Sequence, residues 1–91
     1  MNDITMCIPR VHNLIHKEFV LSKLRKINAG KIKTIIEKPL KNEKDYKRIL
    51  IKICLDLTRK NGAYIKERFS KGENIKIVYN NEEYWRVVSS Y

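Results

Sequence analysis

At 91 residues, 43% of them hydrophobic and spread along the whole length, the chain suits one folded unit over residues 1–91. That size supports a modest core but not an enclosed catalytic cavity with its scaffold. Lys and Arg number 20 against 10 Asp and Glu, a net charge of +10, which favours a polyanionic partner, nucleic acid before an anionic membrane surface. No apolar run approaches the roughly 20 residues of a membrane span, and the opening Met-Asn-Asp-Ile lacks the basic head and apolar stretch of a signal peptide. Two cysteines, Cys7 and Cys54, without zinc-ligand spacing suit a reducing compartment. An intracellular protein without a membrane partner is therefore expected.

The first element in the chain is a strand. Ile4, Met6 and Ile8 share one parity and Thr5 and Cys7 the other, and Pro9, which cannot donate to a ladder, ends it. Helical spacing follows between Leu14 and Ile27, with Val20, Leu24 and Ile27 at i, i+4 and i+7 and Gly30 as its left-handed stop. Lys31 to Lys38 alternates as a second strand through Ile32, Thr34 and Ile36, and Ile35 breaks the alternation, which a bulge or burial on both sides would explain. Leu40 to Lys47 is a charged loop. Arg48 to Cys54 then alternates most cleanly, turning Ile49, Ile51 and Ile53 inward and Arg48, Leu50 and Lys52 outward. A weaker helix carries Ile65 and Phe69, capped by Asn61 and stopped by Gly72. Ile75 to Tyr79 and Tyr84 to Ser89 close the chain as a hairpin across Asn80-Asn81-Glu82-Glu83.

This order, strand–helix–strand–strand–helix–strand, predicts an α+β fold. The expected form is a ferredoxin-like βαββαβ sandwich: a four-stranded antiparallel sheet, two helices on one face, and a C-terminal hairpin extension. The expected core contains Met6, Ile8, Val20, Leu24, Ile27, Ile49, Ile51, Ile53, Ile65 and Phe69. Antiparallel pairing of the first and third strands places Cys7 beside Leu50. Cys54 then lies about four residues, roughly 13 Å, from Cys7 at the strand rise, too far for a disulfide.

Several stretches taken together resemble the small proteins with RNA-recognition-motif character found in giant nucleocytoplasmic large DNA viruses. They are Cys-Ile-Pro-Arg-Val (7–11), Gly-Lys-Ile (30–32), Arg-Ile-Leu-Ile-Lys-Ile (48–53), Gly-Glu-Asn-Ile-Lys-Ile-Val-Tyr (72–79) and Tyr-Trp-Arg-Val (84–87). The likeness spans almost the whole chain, and the ending is its most specific part. It implies a fold, a viral source acting in the host cytoplasm or virion, and RNA as the partner. In RNA-recognition motifs the first and third strands carry aromatic rings that stack on bases. This chain departs from that pattern, with Cys7, Arg48 and Leu50 at those positions.

The candidate nucleic-acid-binding residues are Arg10, Arg48, Leu50, Lys52, Lys76 and Trp85. Arg48 and Lys52 are positioned to neutralise phosphates. Pairing Tyr79 with Tyr84 across the turn sets Val78 opposite Trp85, on the face of Lys76, where the indole becomes a replacement stacking platform. Lys41, Lys44 and Lys47 in the charged loop are candidates to clamp the backbone. His12 and His16 have no partner at metal-ligand spacing, the carboxylates are scattered among lysines, and no nucleophile triad or phosphate loop is present. The expectation is therefore single-stranded RNA binding of low sequence specificity, with no catalytic residues, metal or cofactor. The alternatives are a protein–protein interaction module that has kept the fold, or a nucleic-acid-packaging virion component.

Overall fold

The cleanest alternation in the sequence becomes a central strand. The computed structural model, which describes residues 2–90, runs β1 (Asp3–His12), α1 (Lys17–Ile27), β2 (Gly30–Pro39), β3 (Tyr46–Leu55), α2 (Lys60–Ser70), β4 (Ile75–Val78) and β5 (Tyr84–Ser90). The fold is α+β, with two helices and an antiparallel sheet in the order β2-β3-β1-β5-β4. The sheet has five strands, not four. The hairpin is part of it: β5 docks on β1 through Cys7↔Val88, and β4 forms the outer edge.

β1 and β3 pair with Met6 opposite Ile51, Ile8 opposite Ile49 and Cys7 opposite Leu50. Cys54 lies opposite Asp3, and both thiols are free. The inward row of Ile49, Ile51 and Ile53 packs with Met6, Ile8, Val20, Leu24 and Ile65 in one core. Ile27 and Phe69 are only half-buried against it, because the helices end where they sit. The core extends further than expected, through Val11, Leu55, Ile75, Ile77, Trp85 and Val87.

Several boundaries move for identifiable reasons. β1 does not stop at Pro9. A register shift between Ile8 and Val11 opens a bulge there, so the missing N–H of Pro9 breaks no ladder bond and Val11 returns to the core. On β2 a second shift, between Ile32 and Thr34, turns Ile32 and Ile35 inward and Thr34 and Ile36 outward. The apparent break at Ile35 is thus a bulge two residues earlier. α1 starts at Lys17, leaving Leu14 exposed in the preceding turn, and it ends on Asn28 in the left-handed region, not on Gly30. Gly30 opens β2, where any Cβ would collide with the Cys54 carbonyl oxygen. Asn61 lies inside α2, whose cap is Arg59, and its side-chain amide donates to the Ile27 carbonyl to tie the two helices together. Neither helix is long and apolar enough to cross a membrane.

Lys47 departs most from expectation. It is not a solvated loop cation but a buried residue of β3, on the core side of the sheet opposite Val11. Its ammonium donates to the Glu37 carboxylate of β2, which holds that carboxyl below the ordinary range.

Candidate nucleic-acid interface

The helix-free face of the sheet is assembled by alternation from residues that skip the core positions. Because paired residues share a face, the registers lay them out in transverse rows. Ile36, Leu50, Cys7 and Val88 form one apolar row across β2, β3, β1 and β5. Thr34, Lys52, Thr5 and Ser90 form the next on one side. On the other side, Lys38 pairs with Arg48, Arg48 faces the Pro9–Arg10 bulge, and Arg86 pairs with Lys76. Beyond this basic row, His12 pairs with Tyr46 and Val78 with Tyr84.

Of the candidate residues, Arg10, Arg48, Leu50, Lys52 and Lys76 are brought to this face. Arg48, Lys52 and Lys76 are exposed, and Leu50 is half-buried in the apolar row. Lys38, Arg48, Lys52, Lys76 and Arg86 have no carboxylate within ion-pair distance among the described residues. The strip continues around the β4 edge, where Lys76 and Arg86 border a cleft shared with Tyr64 and Arg68 of α2. Arg10 is engaged: its Nε donates to Glu43 at 2.7 Å, and its guanidinium lies 3.6 Å from the centroid of the Tyr46 ring. His12 makes a T-shaped contact with the same ring, the centroids 5.2 Å apart.

Trp85 is not on this face. It is 4% exposed, on the core side with Val87. Its indole stacks on Tyr79 at 4.2 Å and makes a T-shaped contact with Phe19 at 6.2 Å. The hairpin register is Val78↔Tyr84 and Ile77↔Trp85, one residue from the expected pairing. A one-residue slip exchanges the faces of every side chain on a strand, so Tyr84, 50% exposed, takes the outward place given to Trp85. The Lys76 ammonium lies 4.7 Å from the Tyr84 ring centroid.

Sequence reasoning thus missed Tyr84, Arg86, Lys38 and His12. The signal for the first two was present. Only the Ile77↔Trp85 register puts Ile75, Ile77, Trp85 and Val87 on one face, and burying four apolar side chains outweighs a one-residue difference in turn length. Tyr46, read as the end of a loop, is the first residue of β3.

Cys7 is buried within the apolar row although it points away from the helices, and burial raises its thiol pKa, with the Arg48 charge opposing. It is thus a small apolar spacer on this face. No protein-family model matches the chain, and no curated protein or solved structure matches it significantly.

Proposed function

We propose that the chain is a ferredoxin-like sandwich of the RNA-recognition-motif type, and that its helix-free sheet face binds single-stranded RNA through charge, with low sequence specificity. The strand order supports the fold reading: β3 lies between β1 and β2, as a first βαβ unit requires, and β1 lies between β3 and β5, although β5 is reached only after the outer strand β4 that directly follows α2. The observation that carries the function is a cationic strip of Lys38, Arg48, Arg86 and Lys76, with Lys52 across the apolar row, none of them within ion-pair distance of a carboxylate among the described residues. In water such a strip costs little while free and releases counterions when it meets a polyphosphate. Low specificity follows from the row beside it, where Cys7, Leu50 and Val88 offer apolar contact without hydrogen-bonding groups.

The test is a filter-binding titration of single-stranded RNA at two salt concentrations. Arg48→Ala combined with Lys52→Ala should weaken binding similarly for all sequences. It should also flatten the salt dependence by about 0.7 in slope for each phosphate no longer neutralised. A folded double variant that binds as the wild type does, with the same salt slope, would overturn the proposal.

A second reading has its own observation. The continuous apolar row of Ile36, Leu50, Cys7 and Val88 also suits a protein partner laid across the sheet. That reading makes Leu50→Asp decisive for partner capture and leaves RNA binding at the nonspecific level.

A further inference from the structure

β1 and β5 are in register only over Thr5–Cys7 and Val88–Ser90. Past that point the bulge at Pro9–Arg10 bends β1, while β5 pairs with β4 through Tyr84–Val87. The diverging strands leave a cleft of about 580 Å³, bordered by Arg10, His12, Leu14, Tyr46, Tyr84 and Trp85. That volume falls within the range of small-ligand sites.

The lining selects what fits. The Arg10 guanidinium is held over Tyr46 by its bond to Glu43, yet the Arg10 side chain remains 57% exposed. Its outer surface is therefore a fixed, flat, cationic platform of the kind on which bases stack. Tyr84 is an exposed ring on the β5 side of the cleft. His12 Nδ1 accepts from the Leu14 N–H at 3.1 Å, so a neutral ring carries its proton on Nε2, a donor for a base edge. The two carboxylates nearby are occupied: Glu43 accepts from Arg10, and Glu83 from the Tyr79 hydroxyl at 2.8 Å. A free phosphate would find only Arg10 in the cleft, whereas the unpaired cations lie outside it on the sheet.

We infer that this cleft seats one nucleobase of the strand bound across the sheet, stacked on the Arg10 guanidinium with Tyr84 as the facing ring. The inference rests on the single-strand-binding reading above and adds a base-sensing subsite to a face that otherwise recognises phosphate. It also moves stacking away from the strand positions held by Cys7, Arg48 and Leu50, to the end of the sheet where aromatic rings are present.

Trp85, the chain's one tryptophan, borders the cleft and reports on it. The probes are a mixed-sequence single-stranded RNA oligomer and an abasic strand of the same length. The base-bearing strand should change Trp85 emission, and the abasic strand should bind without doing so. Arg10→Lys keeps the charge and removes the plane. It should weaken the base-bearing strand about five- to tenfold at an unchanged salt slope, the size of a single base-stacking interaction, and leave the abasic strand unaffected. Tyr84→Leu should act in the same direction, and if it fails to fold, Arg10→Lys and the wild-type emission decide alone. If both variants hold both strands as the wild type does, while Arg48→Ala with Lys52→Ala weakens them, the cleft inference falls and the sheet reading stands. Equal Trp85 responses to the two strands also overturn the cleft. A wild type that binds neither strand overturns both.

Discussion

On β3, Ile49, Ile51 and Ile53 point into the core while Arg48, Leu50 and Lys52 face away from the helices, and β1 divides in the same way around Met6 and Ile8 against Thr5 and Cys7. The hairpin repeats the division with Ile75, Ile77, Trp85 and Val87 against Lys76, Val78, Tyr84 and Arg86. One face is specified by the removal of apolar area from water, so its residues are large, branched and closely packed. The other carries, around a half-buried apolar row, the cations Arg48, Lys52, Lys76 and Arg86, which have no carboxylate partner among the described residues. A single chain thus separates what folds it from what it presents, by nothing more than the two-residue period of a strand.

The sharpest way to break this comparison is at the hairpin, where sequence and structure disagree about the faces. Trp85→Ala should cost about 3–5 kcal/mol in urea denaturation, as other buried aromatic truncations do. Tyr84→Ala, its exposed neighbour, should cost less than about 1 kcal/mol. Equal losses would mean that the one-residue slip runs the other way.

A slightly smaller contrast is expected at the centre of the sheet. Ile51→Ala should lose about 2–5 kcal/mol, and Lys52→Ala, one residue along, less than about 0.5 kcal/mol. Comparable unfolding midpoints for these two variants would remove the distinction between the faces on β3.

Lys47 and Glu37 sharpen the comparison from the other direction, as a charged pair on the face that should be apolar. Removing the carboxylate leaves a buried ammonium without its partner, but Glu37 itself is partly exposed, its side chain at 37% against 9% for Lys47. Glu37→Gln should therefore cost about 1–2 kcal/mol at neutral pH, below the value for a fully buried pair. The folded carboxyl is held below its unfolded value by the Lys47 hydrogen bond, so its contribution is complete above the unfolded pKa and fades as pH falls through the folded one. Urea midpoints of wild type and variant, measured from pH 7 downward, should converge in acid. A gap that persists unchanged at low pH would show that packing, not the ion pair, is responsible.

The legible parts of this fold are those where periodicity had only one reading. The two faces of β3 followed from its unbroken alternation, and Cys7 beside Leu50 followed from the expected fold, in which the first and third strands are antiparallel neighbours. The face of Arg48, Leu50 and Lys52 came with them. Less legible were the places where a local rule met a tertiary exception. Pro9 reads as a strand end, yet a bulge carries β1 past it to Val11. Lys47 reads as loop, yet Glu37 on the neighbouring strand makes its burial tolerable. Val78 and Trp85 read as partners because the turn length alone does not choose between adjacent registers.

The sequence by itself determined the order of the elements, the cationic character of the chain and the inward row of isoleucines, because strand and helix periods and charge are properties of neighbouring residues. Only the tertiary structure decided which hairpin register prevails, since burying Trp85 with Ile75, Ile77 and Val87 is favourable only against a core supplied by the rest of the chain. The same is true of the end cleft. Arg10, Tyr46 and Tyr84 lie on three strands far apart in sequence, and they border one cleft where β5 leaves β1 beyond the bulge that Pro9 permits.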